Sequence, residues 1–275
     1  MKYAAVLAVS FSLVACESTG GDSSCDEARS LLDLTFAAGA GPGYAAPELD
    51  GWCDAANFVV ESNGIPHYTF VEITPNALTE VDQRWEIPLN PGVAPAPTEI
   101  PLLGDVGFTV AGTVWFGPNE AERPDSYGDP VYNGITDGCT GHTAPQGYHH
   151  HALQQKCLVQ ENVGKAEPWA AADADPDVAS PIVGWAGDGF AIHGPYGCLD
   201  AACSEVVEYV SGWEQIGDPT TYAWDAHEYR ASTDATVLDQ CNGHVGPDGD
   251  YHYHATATFP YILGCFTGTP SADFR

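Results

Sequence analysis

Asp239-Gln240-Cys241-Asn242-Gly243-His244-Val245-Gly246-Pro247-Asp248-Gly249-Asp250-Tyr251-His252-Tyr253-His254 has a partner earlier in the same chain. The partner is Asp137-Gly138-Cys139-Thr140-Gly141-His142-Thr143-Ala144-Pro145-Gln146-Gly147-Tyr148-His149-His150-His151. It is shorter by one residue, and nine of the fifteen aligned positions are identical. Each copy then closes on another cysteine, Cys157 or Cys265. A second pair of segments aligns without a gap: Gly107-Phe108 through Gly112 to Gly117-Pro118, against Gly184-Trp185 through Gly189 to Gly194-Pro195. Cys, His, Pro and Gly recurring at fixed offsets mark an internal duplication. The repeats cover about residues 106–157 and 183–265, and they predict two related halves facing across a pseudo-twofold axis.

Outward from the repeats, the chain reads as mainly β. Its 30 Gly and 21 Pro interrupt it too often for long helices. Strands are predicted at Asn57–Val60, Tyr68–Ile73, Arg84–Ile87, Gly107–Phe116, Ile182–Ile192 and Thr258–Ile262, where β-branched and aromatic residues concentrate. Pro88 to Pro101 reads as a loop or edge connection. Two short helices are predicted, at Asp26–Ala37 with Ser24 as cap, and at Ala201–Val210. The expected architecture is two duplicated, pseudo-symmetric β-rich halves, sandwich- or barrel-like, with one or two short helices and disulfides.

Tyr251 to His254 alternates, and a strand sends alternate side chains to opposite faces. His252 and His254 therefore share one face, as do His149 and His151 in the first copy. A His-x-His pair on a strand can converge on one metal ion at ~2.0–2.1 Å. His244 and His142, from the turns upstream, supply a third imidazole each. The candidate ligands are thus His244, His252 and His254, with His142, His149 and His151 as the duplicate. Where thiols are oxidised, imidazole suits copper or zinc. The bland alternative is that these are half-buried sheet residues bonded to backbone. Asp137 and Asp239 are candidate acceptors that orient a metal-bound imidazole, with turn capping as the alternative. Asp188, between two glycines, is a candidate catalytic base, or else closes its own turn. Asp173, Asp175 and Asp177 alternate like a calcium loop but lack its central Gly and closing Glu.

These motifs resemble the YHYH domain family of exported bacterial proteins. The carrying residues are Asp239-x-Cys241-x-Gly243-His244-x-x-Pro247-x-Gly249-x-Tyr251-His252-Tyr253-His254. Gly187-Asp188-Gly189-Phe190, Gly194-Pro195-Tyr196-Gly197 and Asn63-Gly64-Ile65-Pro66 add to them. The resemblance spans roughly Asn57 to Thr269, within a domain predicted over 25–275. The first copy departs from the pattern, with His150 where a second Tyr is expected. His193 also stands where Tyr is expected before Gly-Pro. The resemblance implies a fold and little defined chemistry.

At the N-terminus, a basic start and an apolar run from Tyr3 to Val14 end in Leu13-Val14-Ala15-Cys16. This looks like a bacterial lipoprotein signal peptide over residues 1–15, followed by a lipidated tether over 16–24 that begins at Cys16. No later segment reaches ~18 consecutive apolar residues, so the acyl chains are the only expected membrane attachment. Lipidation leaves eight of nine cysteines, an even number suited to disulfides in an exported chain. The matching repeat positions pair Cys139 with Cys157 and Cys241 with Cys265. The remaining four are assigned as Cys198–Cys203 and Cys25–Cys53.

The balance of 8 Lys+Arg against 38 Asp+Glu, a formal charge of −30, excludes nucleic acid and electrostatic docking to anionic lipid. Three functions remain open. One is an exported, lipid-anchored copper- or zinc-binding protein, at the periplasmic face of the outer membrane or the cell surface. Another is a metal-dependent envelope or extracellular enzyme acting on an unnamed small-molecule substrate. The third is a structural or adhesive surface module.

Overall fold

The computed structural model describes residues 20–32, 34, 39–54, 56–153, 155–158 and 174–274. The predicted signal peptide, Cys16 and Asp173 lie outside the described residues. Fifteen strands are described: β1 Leu49–Asp54, β2 Asn57–Ser62, β3 Gln83–Pro88, β4 Asp105–Thr109, β5 Val114–Phe116, β6 Gly141–Ala144, β7 Gly147–His150, β8 Ile182–Ala186, β9 Ala191–His193, β10 Tyr196–Cys198, β11 Val206–Glu208, β12 Trp213–Gln215, β13 His227–Tyr229, β14 Gly243–Val245 and β15 Tyr251–His254. One α-helix, α1, spans Gly20–Ser30.

Eight of these strands form one sheet in the order β6-β7-β5-β4-β8-β9-β15-β14. Read from either edge, the order visits equivalent elements of the two copies. At its centre β4 and β8 run antiparallel, with Phe108 opposite Trp185, Gly107 opposite Ala186 and Thr109 opposite Gly184. Phe108 and Trp185 are the same repeat position, so the pseudo-twofold axis passes between them. On each side a hairpin from the centre pairs in parallel with a histidine strand. Trp115 lies opposite His150 on one side, and Ile192 opposite Tyr253 on the other. The Gly-rich spacing of the repeat follows from this packing: Gly112 and Gly189 take positive φ (76° and 91°) in the two hairpin turns.

A second sheet, β1-β2-β3, covers the middle of one face. Trp85 stacks on Phe108 at 4.8 Å, and Phe58 meets Trp185 edge-on at 5.4 Å. Aromatic pairs of this kind contribute about 0.5–1.5 kcal/mol each beyond the area they bury. Phe58, Trp85, Phe108, Trp115 and Ile192 are all buried in one continuous core. The result is sandwich-like, with two further two-stranded sheets and no closed barrel among the described residues.

Disulfides join Cys25–Cys53, Cys139–Cys157, Cys198–Cys203 and Cys241–Cys265. In the chain-entropy model a closure of about 15 residues is worth about 3 kcal/mol. Cys139–Cys157 and Cys241–Cys265 hold equivalent places at the outer end of each half.

Several local expectations are corrected. Ala201–Val210 is not a helix. The Cys198–Cys203 bridge and an Asp200 turn, whose Oδ1 accepts from Ala202 N and Ser204 N, fold the chain back sharply. Val206–Glu208 then pairs with Tyr196–Cys198 as a hairpin, which suits its valines. The first helix starts earlier and ends earlier than Asp26–Ala37, so Ser24 lies inside it rather than capping it. Tyr68–Ile73 carries no strand. Its aromatics pack into a small core with Tyr148 and the Cys139–Cys157 bridge instead. Thr258–Ile262 is a turn around Pro260, in which Tyr261 N donates to Thr258 O.

Candidate metal centres

The motif's turn brings its own histidines together. In the first copy Asp137 Oδ1 accepts from Cys139 N (2.8 Å) and Gly141 N (3.1 Å), and Asp137 Oδ2 accepts from the Tyr148 hydroxyl (2.7 Å). The second copy repeats this with Asp239, Cys241, Gly243 and Tyr251 at 2.8, 3.1 and 2.9 Å. A Cβ on Gly141 or Gly243 would run into that tyrosine ring, which is why the motif reads Gly-His there. The turn sets His142 opposite His149 and His244 opposite His252 on paired strands.

At the first centre, His142, His149, His151 and Glu120 converge, with one donor atom of each within 4.8 Å of the others. His142 Nε2 is 3.1 Å from His149 Nε2 and 2.8 Å from Glu120 Oε1, which is also 2.5 Å from His151 Nε2. All three imidazoles are buried, His149 and His151 with 1% of their surface exposed. The far nitrogens are already used: His142 Nδ1 faces Ile135 O at 2.6 Å and His151 Nδ1 faces Gly117 O at 2.7 Å. A carbonyl only accepts, so in a neutral ring Nδ1 holds the proton and Nε2 presents a lone pair to the centre. His151 Nε2 and Glu120 Oε1 accordingly lack a hydrogen-bond partner despite their contact.

Electrostatics agree with an anion–imidazole cluster. Burial pushes the Glu120 carboxyl up, but His142 and His151 more than offset this and hold it well below the usual carboxylate range. Burial likewise pushes His142 down, while the Glu120 carboxylate 2.8 Å away brings it above its ordinary value. His149 stays neutral, held well below its ordinary value by burial and by His151 and His142.

The second centre joins His244, His252 and His254. His244 Nε2 lies 3.1 Å from His252 Nε2 and 3.3 Å from His254 Nε2, and His254 Nδ1 faces Gly194 O at 2.7 Å. Burial pushes all three downward, with His244 at about 4. Among the described residues no carboxylate joins this group. The repeat aligns Glu120 with Gly197, and Tyr209 fills the room beside it, its ring 4.2 Å from His244 and 4.5 Å from His254. His244 and His252 are half-buried, so this centre is the more open of the two.

The other candidate residues lie apart from both centres. Asp137 and Asp239 hold the turns and tyrosines and do not reach an imidazole nitrogen; main-chain carbonyls orient the rings at His142, His151 and His254. Asp188 is buried on the opposite face of the sheet. It accepts from the Tyr253 hydroxyl (2.6 Å) and Gly268 N (2.8 Å), and burial raises its carboxyl despite those bonds. It tethers the C-terminal segment to the motif's second tyrosine. His150, where that tyrosine is replaced, bonds Cys139 O, Thr113 Oγ1 and the Tyr68 hydroxyl, and takes no part in the first centre. Sequence reasoning missed Glu120, one acid among 38 with no spacing to distinguish it.

A mainly β, disulfide-bonded protein with two histidine clusters, each of which can hold a metal ion, is thus the class in view. The family model described as "YHYH protein" matches residues 84–268, about two thirds of the chain, and the chain belongs to this family. The match includes both centres and begins later than Asn57, so β1, β2 and Asn63-Gly64-Ile65-Pro66 precede it. No curated protein and no solved structure gives a significant match. Among the described residues, no helix is long and apolar enough to cross a membrane.

Proposed function

We propose that this chain is an exported, lipid-anchored protein that binds copper or zinc through paired histidine centres. The observation that carries the reading is at the first centre. Three imidazole nitrogens and a carboxylate oxygen point at one another, with two of the far nitrogens protonated toward carbonyls. Lone pairs at 2.5–3.1 Å repel unless a cation or protons lie among them. Ligand atoms ~2.0–2.1 Å from a tetrahedral ion would sit about 3.3–3.4 Å apart, close to this spacing. The ion would supply Lewis acidity at any open position, and the chain's part is to fix the donors and keep the first centre dry.

Elemental analysis of the exported full-length chain, purified without a histidine tag, tests this. Two copper or zinc ions per chain are expected, one at each centre. His142→Ala/His149→Ala and His252→Ala/His254→Ala should each lose one. A folded wild-type protein that holds no metal and takes up none overturns it. Mass spectrometry of the N-terminus tests the anchor: Cys16 should carry the acyl groups, and Cys16→Ser should release the chain.

A metal-dependent enzyme is the second reading, favoured by one observation. A cleft of about 740 Å³ lies between the small sheet and the second centre, lined by Phe58, Pro88, Trp185, His193, Asp248 and Tyr251. In that reading a metal-bound water is the base. Asp188 does not line the cleft.

A further inference from the structure

We infer that His193 is the fourth ligand of the second centre, which therefore holds its ion by four imidazoles where the first uses three and a carboxylate. This rests on the metal-binding reading above.

The sheet register places His193 for that role. On the parallel strands β9 and β15, His193 lies directly opposite His254, and His252 opposite His244 completes the row on the same face. Ring centroids among the six clustered histidines are 4.7–5.2 Å apart within each centre. His193 is 4.8 Å from His252 and 5.8 Å from His254, at the border of the same spacing. Among the described residues its ring is tethered through Nδ1 to Ser180 O, at 3.3 Å. As it stands His193 is outside the three-histidine group, so coordination requires a swing that gives up this long contact and turns a nitrogen toward the ion.

The comparison between copies supplies an independent argument. His193 aligns with Phe116, whose ring stacks on His149 at 4.1 Å. The first centre thus has an aromatic wall at this position and its fourth ligand at Glu120. The second centre has no carboxylate at the matching Gly197, where a Cβ would meet Tyr209 at 2.8 Å and His254 at 3.1 Å. Tyr209 is the aromatic wall on that side, and a histidine stands on the other. Wall and ligand have exchanged sides, so the two changes compensate.

The chemistry differs accordingly. A buried carboxylate with three imidazoles offsets part of a divalent charge and suits tetrahedral zinc. Four neutral nitrogens with none suit copper(II), which takes tetragonal nitrogen sets. Of these four histidines, His193 alone lines the cleft.

The test uses the full chain with its first centre filled by zinc, which is silent in electron paramagnetic resonance, and then titrated with copper(II). Wild type should show four coupled nitrogens. His193→Phe, the residue the first copy carries there, should show three and bind copper at least about tenfold more weakly. His193→Gln provides the same readouts should the larger ring perturb the fold. Unchanged nitrogen count and affinity in both variants overturn the role of His193 while leaving the metal reading intact. Failure of wild type to bind copper at the second centre overturns the metal reading there, and this inference with it.

Discussion

At the first centre Glu120 stands where the second has Gly197, and Phe116 where the second has His193. The turns that deliver the histidines are otherwise alike, from the Asp137 and Asp239 hydrogen bonds to the Tyr148 and Tyr251 rings behind them. Change has concentrated beside the donor atoms, and the scaffold that aims them has stayed. The first half is closed and carries its own counter-charge. The second is half-open and bordered by a cleft. The difference teaches that the duplicated strands fix where an ion can sit, while residues outside the repeat motif decide how tightly it is enclosed.

Chelation should break the symmetry most visibly. The open second centre is expected to lose its ion first, with little change in melting temperature. Stripping the closed centre should then cost about 4 kcal/mol if ions had been present at 1,000 times the dissociation constant. That is a fall of roughly 10 °C for a chain of this size. Calorimetry with parallel metal analysis checks the order, and simultaneous loss of both ions would contradict the enclosure argument.

Acid should act next, in part through a buried histidine that has no counterpart in the repeats. His67 precedes both repeats and packs against the first, where burial pushes it down to about 4, although its Nε2 bonds Cys157 O at 2.6 Å. It is neutral when folded and takes up a proton near 6.5 when unfolded. The unfolded state therefore binds more protons between these values, and stability falls as pH drops from about 6.5 to about 4. The loss is about 3 kcal/mol for this residue. Urea melts of the metal-free protein at pH 7 and 4.5 should show a smaller pH penalty in His67→Phe than in wild type.

Asp188 is unique to the second half, since the first copy has Ala111 in its place. Tyr253→Phe should cost about 1–3 kcal/mol by leaving a buried carboxyl short of a donor, and should leave metal content at both centres unchanged. A loss of metal from the second centre would instead tie Asp188 to ion binding. The smallest effect concerns what the halves share. Asp137→Asn and Asp239→Asn should each destabilise by about 1 kcal/mol and by nearly equal amounts, because each replaces the same three bonds. Denaturant midpoints that differ widely would show that the turns are not equivalent devices.

Much of this was legible in the sequence because the duplication was. Matched Cys, His and Gly positions pointed to the paired halves, the six clustered histidines and two of the bridges. The strands of both hairpins followed from their β-branched and aromatic residues. What escaped was set by contacts that no local pattern records. Glu120 reaches the first centre from 22 positions before His142 in the chain. Val206–Glu208 became a strand only because the Cys198–Cys203 bridge turned the chain onto Tyr196–Cys198. Asp188 looked available between its glycines, but Tyr253 and Gly268 close over it.

The β4–β8 contact carries a historical consequence. Phe108 faces Trp185, its own equivalent, and the flanking pairs exchange places under the same rotation. This is the self-complementary pairing by which two identical chains form a closed dimer. Two copies of a single-repeat ancestor could have met through this strand, each bringing one centre. In such a dimer any substitution strikes both centres at once. Joining the copies into one gene would remove that constraint, and a glutamate could then be tried at one centre and a histidine at the other.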